Sequence, residues 1–141
     1  MNQRLVLRVS GGWKAALVGL WVLASCSSAP PRGIVSGEVT FDGQPVEDGT
    51  ILFEPEGGQG QTAGGPIKEG KYSAEVPVGK MRVRINGNKK TGRRYKVYDT
   101  PESPVVDEVV ELLPPKYNIN SELTVEVKPG AQQIPFHLKS R

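Results

Sequence analysis

Apolar and polar residues alternate with a period of two along much of the chain beyond Ile34. This period is typical of β-strands that bury one face. The clearest run covers residues 80–86, where Met81, Val83 and Ile85 alternate with basic residues. Further alternating runs predict strands at residues 34–41, 50–54, 71–76, 122–127 and 134–138. Glycine-containing sequences separate most of these runs, as expected for tight turns.

Two segments lack this period. Residues 55–66 contain five glycines and are predicted to form an exposed flexible loop. They do not predict a phosphate-binding loop, because the Gly-Lys-Ser/Thr ending of such a loop is missing. Residues 97–120 contain four prolines, which exclude a long helix. Within them, residues 105–113 are predicted to form either a short strand or one helical turn.

About seven short strands joined by turns favour an all-β fold, a single antiparallel sandwich of two sheets. The predicted β-sandwich domain covers residues 34–141. The dipeptide Asn86-Gly87 is predicted to end the clearest strand in a hairpin turn, since this pair favours such turns.

The amino-terminal segment has the pattern of an export signal. Residues 1–14 carry three basic residues and no acid, and residues 15–23 are apolar throughout. The apolar run is too short to span a bilayer, which takes about 20 residues, but it suits a signal peptide. The sequence Leu23-Ala24-Ser25-Cys26 then resembles the bacterial lipobox. That resemblance implies cleavage before Cys26 and acylation of its thiol.

Lipidation would explain why the chain has a single cysteine, since a lone thiol in an exported protein is otherwise an unpaired reactive group. Each buried methylene of an acyl chain contributes about 0.8 kcal/mol of membrane affinity, so several chains such as palmitate form a stable anchor. An ordinary secretory signal with a stray cysteine, or an uncleaved apolar helix, is the alternative interpretation.

The predicted organisation is therefore a signal peptide at residues 1–25, a lipidated tether at 26–33 and the domain at 34–141. Ser27 occupies the position where an aspartate retains many bacterial lipoproteins in the inner membrane. The resemblance thus implies an exported, membrane-anchored lipoprotein in the outer membrane or at the cell surface, facing the periplasm or the exterior.

Removal of the leader changes the charge of the chain. The 18 Lys and Arg residues fall to 15 without the three in the leader, which equals the 15 Asp and Glu residues. The mature chain is then formally neutral. Its composition gives no reason to expect nucleic-acid binding, because the basic pI belongs mostly to the export signal.

One stretch is nevertheless basic, with eight Lys or Arg residues between positions 80 and 96. Lys89, Lys90, Arg93 and Arg94 are the candidates for an anion-binding surface that would recognise an acidic glycan, a lipid headgroup or another polyanion. The alternative is a solvated face whose charges are matched by downstream acids. Those acids are Asp99, Glu102, Asp107, Glu108 and Glu111.

Several short motifs are similar to those of the carboxypeptidase regulatory-like, or transthyretin-like, domain family. They are Val-x-Gly-x-Val at 35–39, Asp-Gly-x-Pro-Val at 42–46, Gly-Lys-Tyr at 70–72 and Val-Pro-x-Gly at 76–79. The sequences at 113–118 and 121–127 resemble a lipoprotein branch of that family whose members have no assigned activity. The resemblance implies a β-sandwich used as an accessory module, with Gly37, Gly43, Pro45 and Gly79 setting backbone angles.

The residues present do not favour an enzyme. His137 is the only histidine, the chain ends without the Tyr-Arg-Gly-Ser of the family's purine-pathway hydrolase, and no Gly-x-Ser-x-Gly sequence occurs. A zinc site needs three or four ligands, so no metal or cofactor is expected. Carboxylate pairs such as Glu54 with Glu56, or Asp107 with Glu108, are the weaker acid-base or calcium candidates.

The sequence therefore predicts a non-catalytic envelope lipoprotein, anchored through Cys26, that acts as a structural or interaction module. Its partners would be the membrane and an unknown envelope protein or glycan. An anionic glycan-binding or polyanion-binding surface protein that uses residues 80–96 is the alternative function.

Overall fold

The computed structural model describes residues 28–141. The leader, the lipobox and Cys26 lie outside the described residues, so the signal-peptide and lipidation hypotheses stay predictions. The described chain forms ten strands and one short 3-10 helix at Pro115–Tyr117. The strands are β1 (Arg32–Phe41), β2 (Gln44–Pro45), β3 (Asp48–Pro55), β4 (Ala63–Lys68), β5 (Lys71–Pro77), β6 (Gly79–Lys96), β7 (Val105–Glu111), β8 (Thr124–Val127), β9 (Gly130–Gln133) and β10 (Phe136–Leu138).

The strands are joined into one curled sheet with the order β10-β1-β5-β4-β3-β6-β7. Neighbours are mostly antiparallel, but β9 and β10 pair in parallel with the two ends of β1. β8 pairs with the start of β6. The prediction of an all-β, mainly antiparallel fold is confirmed, whereas the division into two facing sheets stays a prediction.

The core consists of the apolar residues that alternate along the strands. Ile51 and Phe53 of β3 and Val83 and Ile85 of β6 are fully buried. The ring of Tyr72 lies 6.2 Å from that of Phe53, and its hydroxyl donates a hydrogen bond to the carbonyl of Ile134 at 2.7 Å. Burial raises the pKa of the Tyr72 hydroxyl. Burying each such large apolar side chain stabilises the fold by about 1.5–3 kcal/mol. Most of the buried residues are the apolar positions of the period-two pattern.

The prediction of an uninterrupted loop at residues 55–66 is wrong at its end, because β4 begins at Ala63. Gly57, Gly58 and Gly60 have positive φ, as a turn requires. Gly64 has a different role: a Cβ there would lie 2.3 Å from the carbonyl oxygen of Ile51. Glycine therefore allows β4 to approach β3 closely. The glycine-rich composition that predicts a loop here belongs in part to a strand.

The predicted hairpin turn at Asn86-Gly87 is also wrong, since β6 continues as one strand to Lys96. Gly87 is buried, opposite Gly49 of β3. A Cβ on Gly87 would lie 3.2 Å from side-chain atoms of both Leu112 and Leu113. This glycine thus serves close packing within a strand rather than a turn.

Smaller differences concern element ends. Residues 105–113 form the strand β7 at Val105–Glu111, which decides between the strand and the helical turn. β1 begins at Arg32, so the last two residues of the predicted tether belong to the sheet. β9 starts at Gly130, which has a positive φ.

Candidate functional site

The second half of β6 and the whole of β7 leave the core together as a two-stranded ribbon. We call residues 88–111 the β6–β7 arm. β6 is paired with β3 as far as Gly87 and with β7 from Asn88 onwards. Every residue from Asn88 to Glu102 is exposed. The arm therefore contains all four residues predicted to bind anions, and it presents them outside the core.

The basic residues of the arm are largely paired with its acids. The Nζ of Lys90 lies 3.0 Å and the Nε of Arg94 3.3 Å from the carboxylate of Asp107. The Nε of Arg93 lies 3.8 Å from Glu108. The hydrogen bond and the charge of Lys90 lower the pKa of the Asp107 carboxyl, and Asp107 in turn raises the pKa of Lys90.

These pairs bear directly on the predicted anion site. Among residues 28–141, Lys89 takes part in no ion pair, whereas the other three candidates are matched by acids of β7. Five basic and five acidic residues lie within 88–111. The arm as a whole is neutral, so the structure does not bring the four candidates together as an unmatched basic cluster.

A groove of about 460 Å³ lies where the arm leaves the core. One wall comes from β2, the first residue of β3 and the connection between them, and the other comes from the two arm strands and Leu112. The lining residues are Gln44, Pro45, Glu47, Asp48, Asn88, Lys89, Lys90, Val109 and Leu112.

Asp48 organises one wall of this groove. Its carboxylate accepts hydrogen bonds from Lys68 at 2.5 Å and from the side-chain amide of Asn88 at 2.8 Å. The Lys68 and Asn88 hydrogen bonds lower the pKa of the Asp48 carboxyl. Val109 and Leu112 supply apolar surface on the other wall. The groove therefore combines apolar surface with polar and charged side chains.

A single carboxylate fastens β7 to β6 at the base of the arm. Oε1 of Glu111 accepts hydrogen bonds from the backbone amides of Gly87 at 2.8 Å and Leu113 at 2.9 Å. Oε2 accepts one from the side-chain amide of Asn86 at 2.8 Å. The sequence identifies Glu111 only as a neutralising charge. No short-range signal reveals that Glu111 fastens β7 to β6, because the β6 partners Asn86 and Gly87 lie about 25 residues earlier.

The arm also exposes large apolar side chains. Tyr95 and Tyr98 are 55% and 65% exposed, and Val109 and Val110 are 52% and 47% exposed. At the tip, the backbone amide of Tyr98 donates to the hydroxyl of Ser103 at 2.7 Å, which closes the connection between the strands. The exposed apolar side chains on an ordered ribbon are a feature of interaction surfaces.

The weaker chemical candidates are engaged in structural contacts. Asp107 and Glu108 form the ion pairs of the arm, and the others lie outside it. His137 Nδ1 lies 3.0 Å from the hydroxyl of Thr40. Glu54 pairs with Arg84 at 3.4 Å and Glu56 with Lys80 at 2.8 Å. Within the described part of the chain, no three His, Cys, Asp or Glu side chains are grouped as metal ligands would be.

Between residues 28 and 141, no helix has the length and apolar character needed to cross a membrane. Comparisons with protein-family models, curated proteins and solved structures returned no match to this chain. The arm and its groove are therefore interpreted from their own geometry.

Proposed function

We propose that the chain is a non-catalytic lipoprotein, anchored in an envelope membrane through Cys26, whose β domain acts as an interaction module. The β6–β7 arm is the observation that supports the module function most strongly. It extends a core strand beyond the core, connects its two strands through ion pairs and the Glu111 hydrogen bonds, and exposes Tyr95 and Tyr98.

The motifs at 35–46 and 70–79 support the further proposal that the curled sheet is a sandwich of the transthyretin-like type. Their positions agree with structural roles for these residues. Gly43 and Gly79 have positive φ, and a Cβ on Gly37 would lie 2.3 Å from the carbonyl oxygen of Ile134. An accessory module of an exported protein, in the outer membrane or at the cell surface, is the function that fits this kind of domain.

The anchor is tested by palmitate labelling of cells that produce the full chain. We expect labelling of the unaltered protein and of Ser27→Ala, a matched control next to the modified residue. Cys26→Ala should lose both the label and the membrane association. Labelling that persists in Cys26→Ala would contradict the anchor.

The module function is tested by placing a photo-crosslinking amino acid at position 98 in intact cells. We expect a discrete crosslinked protein from this position and none from position 73, an exposed residue of β5 that serves as the control. Equal products from both positions, or none from either, would argue against a partner-binding arm.

Binding of an anionic glycan is the second candidate, and it is favoured by Lys89, which forms no ion pair within residues 28–141. Neutralising Lys89, Lys90, Arg93 and Arg94 should then abolish retention on an acidic-glycan column. Unchanged retention would count against this candidate. The matched charges of the arm make it the weaker of the two.

A further inference from the structure

In the arm, β6 has one edge that faces β7 and one edge that faces away from it. At the base of the arm, the amide of Leu112 donates to the carbonyl of Gly87 at 2.7 Å. At the tip, the amide of Val97 donates to the carbonyl of Pro104 at 3.1 Å. Backbone groups alternate in direction along an antiparallel strand.

The register of β6 and β7 shifts between Lys90 and Arg94, so the hydrogen bond at the base fixes the direction of the backbone groups in residues 88–90 and the one at the tip fixes it in residues 94–96. The amides of Lys89 and Tyr95 point to β7. Those of Asn88, Lys90, Arg94 and Lys96 point to the opposite edge. We call these four the outward amides. β3 covers that edge only as far as Gly87, and among the described strands β7 alone pairs with residues 88–96.

The groove lies in line with the amino-terminal end of β3. Gly49 is the first β3 residue paired with β6, opposite Gly87. The residue before it, Asp48, contacts Asn88 through side chains. An additional strand placed along the outward amides would therefore continue the line of β3. If it runs in the direction of β3, antiparallel to β6, its last residue would enter the groove, where Pro45, Val109 and Leu112 provide an apolar surface.

The charge of this edge restricts what can pair with it. Residues 88–96 include five Lys or Arg residues and no acid. Three of the five are paired with acids of β7, whereas Lys89 and Lys96 form no ion pair among residues 28–141. In a sheet, oppositely charged residues on adjacent strands stabilise the pair and like charges destabilise it. An incoming strand with acidic side chains is favoured, and a basic strand is disfavoured.

We propose that the outward edge of β6 binds an extended acidic segment of a partner protein by β-strand addition, with an apolar side chain of that segment in the groove. This rests on the proposed interaction function and names the kind of partner. Strand addition takes its affinity from backbone hydrogen bonds and its specificity from side chains that meet a pocket. The outward amides supply donors for the backbone hydrogen bonds, and the groove supplies the pocket for a side chain.

The first test is binding of a synthetic peptide to the full-length chain in detergent. The probe is the blocked heptapeptide Leu-Glu-Val-Glu-Val-Glu-Val. One control carries N-methyl groups on consecutive backbone amides, which keeps the charge but blocks pairing through both edges of the peptide, because successive amides point to opposite edges. The other has lysine in place of glutamate. Loss of two backbone hydrogen bonds should weaken binding about 10-fold or more, and the lysine peptide should not bind.

The second test removes one outward amide from the protein. Lys90→Pro deletes an amide that faces away from β7, a position where an edge strand tolerates proline. Lys90→Ala is the matched control, since both variants lose the ion pair with Asp107. We expect Lys90→Pro to bind the peptide several-fold more weakly than Lys90→Ala. Lys96→Pro against Lys96→Ala provides an independent pair if Lys90→Pro unfolds.

Three results would overturn the proposal. Equal binding of the N-methylated peptide would show charge attraction alone, which a polysaccharide could also satisfy. Absence of any peptide binding would remove the edge as a site. Self-association of the chain that Lys90→Pro abolishes would assign the edge to a second copy instead.

The same variants in cells separate this proposal from the module function. If crosslinks from position 98 are lost in Lys90→Pro and kept in Lys90→Ala, both proposals stand. If they persist in Lys90→Pro, the module function stands and strand addition fails. If neither background gives a crosslink, the module function itself fails.

Discussion

β6 is one strand with two different surroundings. Its core half, residues 79–87, is paired with β3 on one edge and with β8 at its start on the other, and Met81, Val83 and Ile85 are buried. Its arm half, residues 88–96, is exposed throughout, and among the described strands β7 alone lies beside it. The arm half is also less regular, with a register shift between Lys90 and Arg94 and a positive φ at Gly92, but the difference in burial follows the number of covering elements.

This contrast shows how one strand can serve two purposes. Hydrophobic burial holds the core half in place, whereas hydrogen bonds and ion pairs hold the arm half. A two-stranded ribbon is marginally stable alone, so the arm depends on being continuous with the core and on Glu111. The same lack of cover leaves an edge of the arm open to a partner.

The largest expected effect separates the two halves by stability. Phe53→Ala removes a fully buried ring packed on Tyr72 and should lower the free energy of unfolding by about 3–5 kcal/mol. Val109→Ala, in the exposed arm, should change it by less than about 0.5 kcal/mol. Urea unfolding of both variants is the measurement. Equal losses would show that the arm is part of the cooperative core.

The second effect concerns the connection between the halves. Glu111→Ala removes the acceptor of three hydrogen bonds and leaves buried amide groups unsatisfied, at a cost of about 1–3 kcal/mol. We expect amide hydrogen exchange to accelerate in the arm more than in the core. Glu102→Ala, at the exposed tip, is the control. A uniform acceleration in both halves would contradict a local fastening role.

The third effect depends on pH. The pKa values of Asp48 and Asp107 are lowered from the ordinary value of 3.8 by their hydrogen-bonded partners. A carboxyl whose pKa is lower in the folded state stabilises that state above its ordinary pKa, and the contribution is lost as the pH falls through the lower value. Arm amides should therefore lose protection below pH 3.8.

Asp107→Asn supplies the matched control for this prediction. Its arm should be less protected at neutral pH, and the remaining acid sensitivity should be confined to the Asp48 side of the groove. Hydrogen exchange measured across the acid range checks both variants. An arm whose protection is independent of pH in the unaltered chain would argue against a structural role for the Asp107 pair.

The smallest effect comes from the exposed ion pairs. Lys90→Ala and Lys89→Ala should leave the midpoint of global unfolding nearly unchanged, because exposed pairs contribute little to stability. They should differ locally, since of these two lysines Lys90 is the one that contacts Asp107. Faster exchange in the arm of Lys90→Ala than of Lys89→Ala would confirm the pairing. Identical exchange would indicate that the pair is not formed in solution.

Much of the core could be predicted from the sequence because its signal is local. The alternation at 34–41, 50–54 and 71–76 places Val35, Phe53 and Tyr72 on buried faces. β4 and the continuation of β6 could not be predicted. Gly64 and Gly87 occur in sequences typical of turns, and their roles depend on strands that approach them from elsewhere.

The candidate site was predictable only in part. The basic residues and the acids that match them are visible in the sequence, and three of those pairs form. The groove and the outward amides were not predictable, because both require the point where β3 ends beside β6. The backbone amides at the edge of β6 depend on strand pairing rather than on residue type, so no sequence motif identifies them.

The most direct test of the account is residue-resolved hydrogen exchange of the arm with and without the acidic heptapeptide. In the free full-length chain, the outward amides of Asn88, Lys90, Arg94 and Lys96 should exchange quickly, and those of Lys89 and Tyr95 slowly. The peptide should protect the first group and leave the second unchanged. Uniform exchange along the arm, or protection that does not follow this alternation, would contradict binding at the β6 edge.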